Sequence, residues 1–388
     1  MPSWYKTPKK PIDGTFFEDQ ARMFQKQGHQ VGILFSKHTL SFLGNTRFNI
    51  ESKIENFIDN GIPIFYSMTQ SYIPIPGRIP TKLDVLQTSL AGYRKYLEYK
   101  KTYGKPDIIH AHSVKWGGVI ANYISNREQI PYFLTKHFTG WIIGSKRHAN
   151  AFRKILIKTV ENSNKTFVVS SYYKQELLKK YSLNDDKLKV VPNIVSSIFY
   201  ENRCETKIEN PVRLVVIGYL IKRKNHLMLF QALKLLNDRG LNTHLKVVGS
   251  GRNDAFEKEL KSFVTINNLE KQIEFAGLLN RLEVVEAIKE SHILLSGSTF
   301  ETFGVNIIEG LSIGRPCVVF DSGGPRDIMR TKDGILISKK SSKAFANAIQ
   351  EIINNYKNYD QREISESCNK RFGEKTIYDI IFSEYLQA

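Results

Sequence analysis

Cysteine is scarce: Cys204, Cys317 and Cys368 are the only three in 388 residues. They are too few and too scattered for a disulfide framework or a zinc site, which points to a reducing compartment. No apolar run approaches the roughly 18–20 residues of a membrane span, and the opening MPSWYKTPKK lacks the hydrophobic core of a signal peptide. The chain is therefore expected in the cytoplasm. No Asp-x-Asp, His-Glu-x-x-His or paired-cysteine motif occurs, so metal chemistry has no visible ligand set and no cofactor is expected. Short tandem repeats and low-complexity tracts are missing too, which excludes solenoids.

Negative charge is also in short supply, with 38 Asp and Glu against 56 Lys and Arg, a net charge of +18. Residues 1–200 hold 29 basic and 14 acidic side chains, net +15, which leaves 27 and 24, net +3, for residues 201–388. A basic half suits nucleic acid, anionic lipid or phosphorylated substrates. With no zinc-finger spacing and no RNA-recognition aromatic pattern, nucleic acid is not the expected partner.

What is present is ordinary for a soluble globular protein, 41 % apolar and 24 % charged residues. The length suggests two domains, at roughly 100–200 residues each. Val-, Ile- and Phe-rich bursts alternate with helix-period segments throughout, the pattern of parallel α/β architecture. Strands are expected at 29–35, 62–67, 107–112, 131–137, 165–171 and 189–193, then at 212–217, 244–249, 272–276, 292–296, 316–320 and 334–337. The polar stretch 196–210 reads as a linker. It separates Rossmann-like domains over 1–195 and 211–371, each binding at its strand C-termini, with a cleft where the loops meet.

The most informative stretch is 296–310, SGSTFETFGVNIIEG. It follows a strand, opens a helix at Gly304 and Val305, and places Glu301 and Glu309 around that start. Free amides at a glycine-led helix N-terminus seat a diphosphate, whereas carboxylates need hydroxyl partners. The pattern fits a nucleotide sugar, with the amides of Phe303, Gly304 and Val305 toward the diphosphate and both glutamates on hydroxyls. The same residues also fit two solvated glutamates at a loop and a helix start.

This segment resembles the E-x7-E motif of the retaining glycosyltransferases of family 4, which have the two-domain GT-B fold. PIDGTFFEDQARMFQKQGHQV (11–31), DIIHAH (107–112), FLTKH (133–137), VVSSYYKQEL (168–177), VVPNIV (190–195), LVVIGYLIKRKNHLMLFQAL, VVGSG, FAG, ETFGVNIIEGLSIGRPCVVFDSGGPRDI and DGILI follow in the family's order. The resemblance implies an α/β GT-B enzyme, a metal-independent transferase of hexosyl type. Its donor would be a nucleotide-diphosphate sugar and its acceptor a glycan or lipid-linked hydroxyl, in cell-surface polysaccharide or glycolipid synthesis such as lipopolysaccharide or capsule.

By the same resemblance Glu301 holds the donor sugar, Glu309 the ribose, Lys224 the diphosphate, and His137 the sugar near the reacting carbon. Gly14 lets the backbone approach the donor phosphate, and Gly249 and Gly251 shape the base pocket. Where the family carries an arginine this chain has Tyr219, so that Arg223 or the Tyr219 hydroxyl must serve the phosphate. His110 and His112 are secondary candidates. Outside the resemblance, a sugar-nucleotide epimerase and a non-enzymatic basic nucleic-acid-binding protein remain as alternatives.

Three further expectations follow. Segment 141–160 sets Lys146, Arg147, Arg153, Lys154 and Lys158 among Trp141, Phe152, Ile155 and Ile157, which fits either a basic amphipathic surface for peripheral docking on the inner face of an anionic membrane or an ordinary packed helix with solvated lysines. A C-terminal helix at about 372–388 packs back on the first domain. The family's first buried strand precedes the Pro2–Tyr5 segment, where this chain has only Met1, so either the start is expected to be internal to the reading frame, or the chain to be a truncated and poorly folding version, with the first strand missing.

Overall fold

The computed structural model describes residues 1–3, 5, 14–41, 53–72, 82–137, 150–251 and 254–388. They form two α/β units, one of Met1–Pro192 with Tyr378–Ala388, the other of Asn193–Ile377.

In the first unit, helix α1 (Thr15–Lys26) leads into β1 (Ile33–Ser41), β2 (Lys53–Asp59) and β3 (Ile62–Tyr72), a sheet of order β1-β3-β2. β2 runs antiparallel to β3 with Asp59 opposite Ile62. Asn60 and Gly61 make the turn, both at positive φ (49° and 80°), as a two-residue hairpin demands. Helix α2 (Lys82–Tyr103) precedes a second, parallel sheet of β4 (Ile109–His112), β5 (Tyr132–Lys136), β6 (Lys165–Val168) and β7 (Leu188–Val190) in sequential order. Helices α3 (Val119–Glu128), α4 (Asn150–Glu161) and α5 (Ser171–Lys180) connect its strands.

Met1–Ser3 lie along the outer edge of β4. Pro2 bridges His112 in parallel sense, the His112 amide donates to the Met1 carbonyl at 2.9 Å, and the Ser3 amide donates to the His112 carbonyl at 3.2 Å. The first three residues thus occupy the outer edge of β4 at His112. Among the described residues no further strand pairs with the outer edge of β1 or β4.

The second unit opens with α6 (Ser197–Glu201). The stretch read as a linker is built into this unit: Phe199 is buried, and the Cys204 carbonyl accepts from buried Arg315 at 2.8 Å. Then come β8 (Val212–Ile217), α7 (His226–Asp238), β9 (Thr243–Val248), α8 (Asp254–Ile266), β10 (Ile273–Gly277), α9 (Arg281–Lys289), β11 (Ile293–Ser296), α10 (Val305–Ile313), β12 (Cys317–Phe320), β13 (Gly334–Ile337), α11 (Ser342–Asn354) and α12 (Gln361–Phe372). The six strands are parallel in the order β10-β9-β8-β11-β12-β13. Strand order reverses between β8 and β11, so the crevice of a doubly wound sheet falls at their C-terminal ends. Leu214, Val216, Leu245, Val247, Ile293, Leu295 and Val318 fill the core beneath.

Helix α13 (Glu374–Tyr385) closes the chain. Within the first unit the Tyr378 hydroxyl meets His29 Nε2 at 2.8 Å, Glu384 pairs with Lys189, and Tyr385 stacks on Phe24.

Candidate functional site

Two loops leave the β8/β11 switch point of the second unit. The first runs through Gly218 and Tyr219 to a 3-10 turn, Lys222–Lys224, and ends at Asn225, the left-handed N-cap of α7. The second runs from Gly297 to Gly304, the N-cap of α10 at φ 124°. They are laced together. The Thr299 amide donates to the Arg223 carbonyl at 2.9 Å, and Arg223 Nη1 donates to the Phe300 carbonyl at 2.9 Å.

Glu301 sits at the centre. Its amide donates to the Ser322 carbonyl and its own carbonyl accepts from the Gly324 amide, both at 2.9 Å. Lys224 Nζ lies 2.7 Å from Oε1 and Arg223 Nη1 3.5 Å from Oε2. Burial alone would push this carboxyl up, but the charges of Lys224 and Arg223, with hydrogen bonds from Lys224 and Ser298, bring it below the usual carboxylate range. Glu301 is therefore an anchored anion between two cations. Arg223, the substitute weighed for the missing arginine, does reach this cluster, while Tyr219 is half-buried in the same loop.

The start of α10 is fixed from below. Asn306 Nδ2 donates to the Ile217 carbonyl at the end of β8, at 3.2 Å. The Phe303 ring is buried against Phe372, so only its backbone can serve a ligand. A Cβ on Gly304 would meet Ile307 Cδ1 at 2.7 Å, which keeps the position glycine. The Gly304 N-cap has no side-chain cap, leaving the first-turn amides of Val305 and its neighbours without an intrahelical partner, as at any helix start. Glu309, half-buried, lies four residues after Val305 and so on the same helix face.

Gly249 follows β9, and a Cβ there would stand 2.0 Å from the Gly218 carbonyl oxygen; the two strand ends approach this closely only without a side chain. Gly251 bridges Leu220, and its amide donates to Glu257 Oε2 at 3.0 Å. Two contributors escaped the sequence reading, Asn306 and His226. His226 is fully buried behind Lys224, neither ring nitrogen has a partner among the described residues, and burial followed by the Lys224 charge lowers its pKa to about 4.

In the first unit, Gly14 is the left-handed N-cap of α1 (φ 83°). The next turn carries Phe16 and Phe17 onto the ends of β4 and β5: Phe16 is 4.8 Å from the His137 ring and Phe17 4.8 Å from His112. His137 stands one residue beyond β5, with Nε2 3.2 Å from His112 Nδ1. Gly14, His112 and His137 thus share one neighbourhood. His110 is differently placed. Its ring is held by Thr135 Oγ1 at 2.6 Å, by Gln20 at 3.1 Å and by the Tyr385 hydroxyl, which makes it a structural pin. Burial, the Met1 amine and His137 push the His110 pKa down; burial, His110 and His137 do the same for His112.

Of the amphipathic surface expected over 141–160, residues 141–149 lie outside the described residues; in α4 Phe152, Leu156 and Val160 are buried, Ile155 and Ile157 half-buried, and Arg153, Lys154 and Lys158 exposed.

Residues 14–197 match the sequence model of Glycosyltransferase Family 4 and residues 200–370 that of Glycosyl transferases group 1. Among relatives, TuaC of Bacillus subtilis (strain 168), assigned to teichuronic acid biosynthesis as a glycosyltransferase, is 26 % identical over 360 residues, 89 % of this chain and 86 % of TuaC. The UDP-Gal:alpha-D-GlcNAc-diphosphoundecaprenol alpha-1,3-galactosyltransferase of Escherichia coli is 23 % identical over 82 % of this chain and 83 % of its own. Among solved structures, Anabaena Alr3699/HepE in complex with UDP aligns with a TM-score of 0.72 at 16 % identity, over 100 % of this chain and 99 % of that one. The fold is GT-B. Neither the epimerase nor the nucleic-acid-binding alternative finds support in these matches.

Proposed function

The chain belongs to the family 4, group 1 glycosyltransferases, and from that premise we propose that it moves a sugar from a nucleotide-diphosphate donor to a hydroxyl of a lipid-linked glycan. We further assign it retention at the anomeric carbon and no need of a metal. The observation that carries the donor reading is Glu301, a carboxylate held between Lys224 and Arg223 beside the uncapped start of α10. One carboxylate for sugar hydroxyls next to two cations and free amides for phosphate oxygens matches both ends of a nucleotide sugar. Glu309 takes the ribose, and Gly249 and Gly251 leave room for the base.

As the bond to the anomeric carbon breaks, its electron pair stays on the β-phosphate oxygen, and the one negative charge gained there is taken up by Lys224, Arg223 and the α10 amides. That phosphate oxygen then helps deprotonate the acceptor hydroxyl on the same face of the sugar, which yields retention without a covalent nucleophile. Gly14 and His137 in the first unit keep the roles that the family pattern implies.

A lipid-linked acceptor is supported by the galactosyltransferase relative, whose acceptor is a diphosphoundecaprenol lipid. It is supported also by α2, where Leu83, Leu86, Leu90 and Leu97 are all exposed with Arg94 and Lys101 among them. Spacings of three, four and seven put these on one helix face. No helix among the described residues is long and apolar enough to cross a membrane; a leucine stripe flanked by cations suits peripheral contact with an anionic leaflet, in lipopolysaccharide, capsule or related synthesis.

The test is a panel of UDP, GDP and ADP sugars scored for thermal stabilisation and for transfer to polyprenyl-diphosphate-linked acceptors. One donor should raise the melting temperature and give an α-linked product from an α-linked donor. Stabilisation by none of them, or an inverted linkage, would sink the reading.

A further inference from the structure

Three histidines gather at the C-terminal ends of β4 and β5, which pair in parallel with His112 opposite Thr135. Side chains two residues apart on a strand share a face, so His110 and His112 stand together on β4, and Thr135 and His137 together on and just beyond β5. Two rungs join the strands. His110 Nε2 meets Thr135 Oγ1 at 2.6 Å, and one step further along His112 Nδ1 meets His137 Nε2 at 3.2 Å.

The second rung is enclosed. The His112 ring stacks on His110 at 4.6 Å and 8°, and His110 is itself pinned by Thr135, Gln20 and Tyr385. From the first turn of α1, Phe17 sets its ring 4.8 Å from His112 and 5.6 Å from His137, and Phe16 lies 4.8 Å from His137. His112 is buried, and burial with the imidazoles of His110 and His137 pushes its pKa down, so the ring is neutral at neutral pH. Two neutral imidazoles that face each other through one nitrogen apiece hold one proton between them, because two N–H groups would clash and two lone pairs would repel. The state of one ring therefore fixes that of the other. For His137 this decides which nitrogen donates and which accepts.

We propose that His112 is a positioning residue for His137: through the Nδ1–Nε2 hydrogen bond it holds the His137 ring in one tautomer and one orientation. This rests on the proposed contact of His137 with the donor sugar, and His112 acts through that ring. A sugar hydroxyl then meets a fixed donor or acceptor, not a ring that exchanges between the two, and the hydrogen bond is set before the donor arrives.

Three variants separate the nitrogen from the bulk of the ring. Asn carries its amide atoms on Cγ, where His carries Nδ1; Gln carries them one bond further out, near the Nε2 position; Phe keeps a ring with no nitrogen. Protein labelled with 15N-histidine reports the tautomer of His137, whose signals are identified by their loss in His137→Ala. Wild-type His137 should show a single tautomer, His112→Phe and His112→Gln a mixture of the two, and His112→Asn a single one again. In transfer with the donor and acceptor chosen by the nucleotide-sugar panel, His112→Phe should lower kcat about tenfold or more, and His112→Asn should recover most of it. A single His137 tautomer in His112→Phe overturns the proposal, as does a His112→Asn form no better than His112→Gln; that contrast decides alone if His112→Phe does not fold. Loss of transfer in His137→Ala with wild-type transfer in His112→Phe overturns this proposal only, whereas full transfer by His137→Ala overturns the role given to His137 as well.

Discussion

Replacing Glu301 with glutamine should move donor binding and turnover in opposite directions. The carboxylate is 2.7 Å from Lys224 and 3.5 Å from Arg223, so in the free protein it competes with any phosphate for the same two cations. A phosphate on the far side of Lys224 Nζ would stand about 5–6 Å from the Glu301 oxygens. At an effective dielectric of about 20 this is a repulsion of about 3 kcal/mol, less with relaxation. Glu301→Gln removes it, and nucleoside diphosphate should bind about five- to hundredfold tighter by calorimetry or product inhibition. The neutral amide is a poorer acceptor for a sugar hydroxyl, and a lost charged hydrogen bond is worth about 1.5–3 kcal/mol. Sugar transfer should fall about ten- to a hundredfold with the fold intact by circular dichroism. Parallel weakening of nucleotide affinity and turnover would refute the reasoning, because Glu301 would then be a support for the loop and not a competitor for its cations. Full transfer activity would remove it from the donor site altogether.

Lys224→Ala should weaken nucleoside diphosphate binding most of all, and an unchanged product-inhibition constant would shift the contact to Arg223 or Tyr219. Gly249→Ala drives a Cβ to 2.0 Å from the Gly218 oxygen and should cost about 1–3 kcal/mol of stability, read by urea unfolding, with nucleotide binding lost as the two strand ends part. The Met1 amine has a folded pKa of about 5 against 8.0 unfolded, so its contribution is complete above pH 8 and is lost as pH falls toward 5. Unfolding at pH 8 and pH 5.5 should differ by about 3 kcal/mol more for the free amine than for an acetylated N-terminus, and equal differences would mean that the amine is hydrated in solution. Leu86→Asp with Leu90→Asp should abolish sedimentation with anionic liposomes while leaving transfer to a soluble acceptor analogue unchanged; retained sedimentation would leave α2 without a membrane role.

Strands of the second unit were legible to within about one residue, since each is a short run bounded by turn residues, with β11 and β12 buried along their whole length. The first unit was harder. β1 runs on to Ser41 through the polar stretch SKHTLS, which carries no apolar periodicity. β2 was missed because KIENFID is an edge strand with Phe57 and Ile58 exposed, though the Asn60–Gly61 pair after it carried the hairpin signal. Glu301 and Gly304 could be singled out from local pattern and Lys224 from the family resemblance, but not the ion pair between Lys224 and Glu301. Those residues are 77 apart in sequence, and only the β8–β11 adjacency of a 3-2-1-4-5-6 sheet joins them. Asn306 gave no signal at all: its value lies in reaching the Ile217 carbonyl, a contact that no motif spacing encodes.

On the proposed donor site, the lacing of the two loops would make donor choice a property of a three-piece module. Residues 218–224, 298–304 and 321–324 share the Thr299–Arg223, Arg223–Phe300, Glu301–Ser322 and Gly324–Glu301 hydrogen bonds, and a Cβ on Gly324 would strike the Phe303 backbone at 2.4 Å. Grafting one loop from a relative with another sugar preference would set a foreign backbone against two native ones and break several of those bonds at once. Specificity in this scaffold should therefore be exchangeable only when all three segments travel together, or by side-chain changes that leave their backbones alone.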